Sequence, residues 1–133
     1  MRFGKLLCIV NALIFIIYGL FYIFVPAEIS FYVTESIPTT VSGLIDMRAT
    51  YGGMAVAVGL VLGYLSLKNE TLPTVILILL VYMLAMAAGR VLGLVVDGAA
   101  NNKMYYYLIS EIIIAIVCMF WLKLSIVKEN END

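Results

Sequence analysis

The run PTVILILLVYMLAMAAGRVLGLVV, residues 73–96, carries a single formal charge, Arg90. A helix crossing the hydrocarbon core of a bilayer needs about 20 mostly apolar residues, and this run supplies them without interruption. Pro73 stands at its start, where a missing N–H does no harm because first-turn amides have no intrahelical partner. Asp97 and Gly98 follow its end. The period-two alternation of a barrel strand is absent. The run therefore reads as a transmembrane α-helix.

Three more runs of the same kind lie around it, at residues 6–25, stopped by Pro26, at 44–67 and at 104–124. The connections Lys68-Asn69-Glu70-Thr71 and Asp97 to Lys103 are short and polar, which makes successive helices antiparallel. The expected fold is all-α: a transmembrane four-helix bundle forming one domain over residues 1–133. Composition agrees, with 64% hydrophobic and 13% charged residues. Soluble domains carry about a quarter charged residues, and a chain this short could not cover so much apolar material with polar surface. A net charge of −1 without a basic arm argues against nucleic acid as a partner. The chain has no histidine, the commonest metal ligand and the side chain best placed to shuttle protons near neutral pH. Cys8 and Cys118 sit singly in apolar runs with no CxxC spacing, so each reads as a small buried hydrophobe. Neither a metal nor a cofactor is expected.

Lys and Arg placement sets the expected orientation. One side carries Arg2, Lys5, Lys68, Lys123 and Lys128; the loops of the other carry Lys103. Both termini are expected in the cytoplasm, in a multi-pass protein of the cytoplasmic (inner) membrane. Arg2 and Lys5 ahead of an apolar run resemble a secretory signal, but the run exceeds a signal's apolar region and no small-residue cleavage site precedes Pro26. An uncleaved first helix is expected. The tail from Lys128 to Asp133 reads as polar and frayed. The longest connection, 26–43, lies outside and mixes Phe31, Tyr32 and Val33 with Glu28 and Glu35. It reads as an interfacial loop with aromatics at headgroup depth, with a lid over a cavity as the alternative.

Ionisable groups inside spans are costly, so they face other protein groups and pair. Here they are Asp46 and Arg48 on the second helix, Arg90 on the third and Glu111 on the fourth, with Asp97 at the third helix's outer end and Asn11 in the first. At 1.5 Å per residue, Arg48 lies roughly 6 Å in from the outer side, and Arg90 and Glu111 roughly 10 Å. Similar depth on three helices suggests an ion-pair network. Glu111 can accept from Arg48 or Arg90, and Asp46 or Asp97 can take the other guanidinium; spacing does not assign the partners. Helical stripes give each helix an inward face: Asn11, Phe15, Tyr18 and Tyr22; Arg48, Gly52, Ala55 and Gly59; Arg90, Gly93 and Asp97; Tyr107, Glu111, Ala115 and Cys118. Gly59 with Gly63, and Gly89 with Gly93, form small-residue ridges that allow close helix approach, within the chain or in a homo-oligomer.

The segment Arg48-Ala49-Thr50-Tyr51-Gly52-Gly53-Met54, with Gly59, Gly89-Arg90-Val91-Leu92-Gly93-Leu94, Asp97-Gly98 and Glu111, resembles a widespread family of small bacterial membrane proteins catalogued as a domain of unknown function. Tyr18-Gly19 and Pro26 also fit that family's first helix. The size and four-helix layout are similar to DoxX-like membrane proteins. The resemblance covers nearly the whole chain. It implies a four-helix bundle and points to Arg48, Tyr51, Arg90, Asp97 and Glu111, without supplying an activity.

Two readings of the polar cluster follow. It fixes helix packing and register, or it forms a site. A charged pocket walled by Tyr18, Tyr22, Tyr51 and Tyr107 would suit a lipid-like or amphipathic anionic molecule, held by Arg48 and Arg90 with Asp46, Asn11, Asp97 and Glu111 around it. The leading expectation is a non-enzymatic membrane protein that binds such a molecule or serves as an assembly subunit. An intramembrane enzyme acting on a lipid or quinone, with Glu111 as acid–base, is the alternative. It lacks a histidine, an activated serine or a metal cluster to support it. A small transporter working as an oligomer ranks third, since no internal repeat or broken helix is evident.

Overall fold

The computed structural model describes residues 2–130, and the elements follow the apolar runs. Helix α1 covers Arg2–Phe24, α2 Pro26–Thr34 and α3 Val41–Asp46; a π-helical segment, Met47–Gly53, leads into α4, Met54–Ser66; α5 covers Leu72–Val96 and α6 Asn102–Asn130. No strand occurs among the described residues. Four stretches are long and apolar enough to cross a membrane: Arg2–Phe24, Val41–Ser66, Leu72–Val96 and Asn102–Ser125.

Element ends depart from the hydropathy reading where polar caps act. The second span begins at Val41 rather than near 44, because Thr40 Oγ1 accepts the Gly43 N–H at 3.0 Å. A threonine oxygen there satisfies one of the orphan first-turn amides. The fourth begins at Asn102 rather than 104, with Asn101 Oδ1 accepting the Met104 N–H at 3.2 Å. Its helix runs on to Asn130, through Lys128, while Glu131, Asn132 and Asp133 of the expected frayed tail lie outside the described residues. The connection at 26–43 is not a loop throughout. Pro26 opens the nine-residue α2, which buries Pro26, Ser30 and Val33 along one stripe and leaves Phe31 and Tyr32 exposed. Glu35 ends it in the left-handed region at φ 61°, with its N–H on the Phe31 carbonyl.

The described chain divides into two helical units, residues 2–67 and 68–130. In the first, α1 packs along α4 and the π segment. Contact is at backbone distance. A Cβ on Gly59 would stand 2.7 Å from the Ala12 carbonyl oxygen, and one on Gly19 would stand 2.7 Å from the Gly52 carbonyl oxygen. Such closeness replaces the hydrophobic driving force that lipid removes. In the second unit, α5 packs on α6, and Leu72, Val75, Ile76 and Leu79 form a fully buried stripe on α5. Both units expose large apolar side chains all along their length, among them Ile17, Leu60, Leu92 and Ile113. Water would penalise that surface, and hydrocarbon accepts it.

Candidate functional site

The second unit holds the charged cluster. Arg90, on α5 one to two turns before its end, reaches α6 and donates from Nε to both carboxylate oxygens of Glu111, at 2.8 and 3.1 Å. The pair is largely buried, with side-chain exposures of 21% and 9%. Arg90 Nη1 meets Met104 Sδ at 3.1 Å, and the guanidinium carbon lies 5.1 Å from the centre of the Tyr107 ring. Met104, Tyr107 and Glu111 stand at i, i+3 and i+7, a single face of α6. That face braces the guanidinium by a carboxylate, a π face and a thioether, three partners that suit a planar cation.

Beside the guanidinium is an open cavity of about 250 Å³, lined by Arg90, Gly93, Leu94, Asp97, the 98–100 turn and Met104. Its rim exists because α5 ends sharply. Asp97 donates its N–H to the Gly93 carbonyl, and Gly98 takes φ +95°, a conformation that glycine adopts without strain. Gly93 leaves room over the helix, where Asp97 Oδ2 lies 3.7 Å from the point a Cβ would occupy. Among the described residues, Arg90 pairs with Glu111 and not with Asp97, although both Arg90 and Asp97 line the cavity.

The first unit treats its polar residues differently. Arg48 Nη1 donates to the Ile23 carbonyl and, at 3.4 Å, to that of Phe24. These are last-turn carbonyls of α1, left without the usual amide partners by the break at Val25-Pro26. A cation there also complements the helix dipole. Arg48 thus caps a neighbouring helix rather than pairing with Asp46, whose Oδ1 accepts from Thr50 at 3.0 Å. Tyr22 is buried, with Tyr18 at 5.0 Å on its own helix and Tyr51 stacked at 5.3 Å from the π segment. Asn11 is buried but satisfied within α1, donating to the Leu7 carbonyl at 2.8 Å.

Of the residues expected at the site, Arg90, Asp97, Tyr107 and Glu111 come together in the second unit. Arg48 and Tyr51 join Tyr18 and Tyr22 in the first, while Asn11 and Asp46 bond within their own helices. Sequence reasoning missed Met104 and the Ala99-Ala100 rim. Met104 shares the i, i+3, i+7 stripe of Tyr107 and Glu111, and that signal was readable. Among the described residues no group of three potential metal ligands gathers.

A family model described as a domain of unknown function (DUF4345) matches residues 3–122. No curated protein and no solved structure matches.

Proposed function

We take as premise that the chain belongs to this family of unknown function, and we propose from its own geometry that it binds the headgroup of an amphipathic, lipid-like molecule at the α5–α6 cavity. One observation carries the reading: a guanidinium braced on one side by Glu111, Tyr107 and Met104 lines an open cavity at the end of a membrane-spanning helix. Glu111 acts as the positioning group, and the cavity-facing edge of Arg90 is the contact for a phosphate or carboxylate. A volume of about 250 Å³ is below the range for whole drug-sized ligands, which suits a headgroup whose tail stays in lipid. With Arg2, Lys5, Lys68 and Lys123 on one side, the positive-inside rule puts the termini in the cytoplasm and this cavity at the outer face of the inner membrane.

Both oxygens of Glu111 accept from one N–H, and that engagement disfavours its use as a general acid. The test is lipid retention through purification in mild detergent, read by native mass spectrometry. Arg90→Gln combined with Glu111→Gln removes the charge while keeping shape and a hydrogen bond. The double variant is expected to lose lipid that the wild type carries. Unchanged lipid at wild-type stability would overturn the proposal.

A further inference from the structure

The cavity presents two opposite charges that do not satisfy one another. Arg90 and Asp97 both line it, yet among the described residues the ion pair formed is Arg90 with Glu111. Glu111 already offsets the charge of Arg90, so the three residues leave the site with a formal excess of one negative charge. A headgroup that is purely anionic would meet the guanidinium but also the Asp97 carboxylate, and like charges at such range repel. A headgroup with a phosphate and an ammonium satisfies both ends. Asp97 is exposed and lines the cavity, with Oδ2 on the side toward Gly93.

We propose that the α5–α6 cavity selects a zwitterionic headgroup, with the phosphate on the Arg90 guanidinium and a primary ammonium on the Asp97 carboxylate. This rests on the headgroup-binding reading above and specifies its ligand class. A primary ammonium has three donors for a carboxylate, whereas a quaternary one has none. The lipid form of this chemistry is favoured by the neighbouring surface. Leu92, Val95 and Val96, on the last turns of the helix that carries Arg90 and Asp97, are 64%, 78% and 70% exposed, and acyl chains would lie on them.

The test reconstitutes the full chain into nanodiscs containing equal phosphatidylethanolamine, phosphatidylglycerol and phosphatidylcholine, and reads retained lipid by native mass spectrometry. The wild type is expected to retain phosphatidylethanolamine over each of the others by about tenfold, the lower end of what one charge-assisted hydrogen bond contributes. Asp97→Asn should erase that preference while still retaining phosphatidylglycerol. The Arg90→Gln/Glu111→Gln double variant should retain none of the three. Titration with soluble phosphoethanolamine separates the sources: displacement at concentrations below that of the lipid would assign the site to the free compound rather than the lipid, overturning the lipid form. Arg90-dependent retention without a preference for phosphatidylethanolamine, or a preference unmoved by Asp97→Asn, would overturn the zwitterion assignment and leave headgroup binding standing. No retention by the wild type would overturn both.

Discussion

Glu111 and Ser30 are both buried polar side chains, and they sit at opposite extremes of satisfaction. Glu111 accepts two hydrogen bonds from a cation; Ser30 Oγ, in a residue 2% exposed, has no hydrogen-bond partner among the described residues. Removing one member of a buried ion pair leaves the other charge unsolvated, and partial exposure of Arg90 moderates that penalty. Glu111→Ala is therefore expected to cost about 2 kcal/mol, with Glu111→Gln costing about half as much because an acceptor oxygen remains. Unfolding in mixed detergent micelles measures both, and equal losses for the two would contradict a contribution from the remaining acceptor oxygen. Ser30→Ala runs the other way. The hydroxyl leaves water without compensation, so its removal is expected to stabilise the protein by about 1 kcal/mol, read by the same titration. A loss of stability there would reveal a partner for the hydroxyl.

At the scale of the elements, the second span is distinguished by its π-helical start. Met54 donates its N–H to the Ala49 carbonyl, five residues back, so this turn holds one residue more than an α turn. Ala49 and Ala57 are both exposed alanines, one in the π segment and one in α4. Deleting Ala49 is expected to let the segment close as an α-helix with both flanks in register. Deleting Ala57 would turn Gly59 and Leu62 by about 100° relative to Gly52 and Ala55, stripping the contact with α1. Circular dichroism and thermal unfolding should show the first variant near wild type and the second strongly destabilised; equal damage would mean that the wide turn itself is required. The glycines divide in the same way. Gly59→Ala is expected to cost about 1–3 kcal/mol because the Ala12 backbone lies in the way. A Cβ on Gly89 would meet nothing within 4 Å beyond its own helix among the described residues, so Gly89→Ala should change stability by less than about 0.5 kcal/mol. Of the four glycines read as a homo-oligomer ridge, Gly59 and Gly63 face α1 of their own unit, and Gly89 keeps the open face that a second copy would need. The close approach at Gly59 and Gly63 was legible as a small-residue ridge; the π turn and the partner of Arg48 were not. Hydropathy is the same for a π turn as for an α turn, and Arg48 reads as an ion-pair partner until the chain break at Pro26 shows which carbonyls need a donor. α2 was missed for a related reason: nine residues of mixed polarity give no span signal, although Pro26 at its first position marked the start.

For the molecule as a whole, the spans were legible because lipid as solvent demands long apolar runs and writes them into composition. The partner of Glu111 was not, since depth and stripe admitted either arginine. Charge distribution along the chain carries the remaining whole-molecule expectation. Connections 67–71 and 97–101 are each too short to recross a bilayer, so Lys68 and the 98–100 turn lie at opposite ends of α5. Lys5 Nζ donates to the Leu67 carbonyl at 2.8 Å, which brings the basic start of α1 to the same end as Lys68. That end gathers the positive charges, and the expectation from the positive-inside rule is that it faces the cytoplasm. Site-directed cysteines test this directly. Cys8 and Cys118 are fully buried, so the wild type should take up no membrane-impermeant maleimide and needs no cysteine-free background. Ala99→Cys is expected to label from the outer face of the inner membrane in spheroplasts. Lys68→Cys should label only after the membrane is opened. The reverse pattern would invert the topology and move the Arg90–Asp97 cavity to the cytoplasmic leaflet, where it would meet a different lipid population.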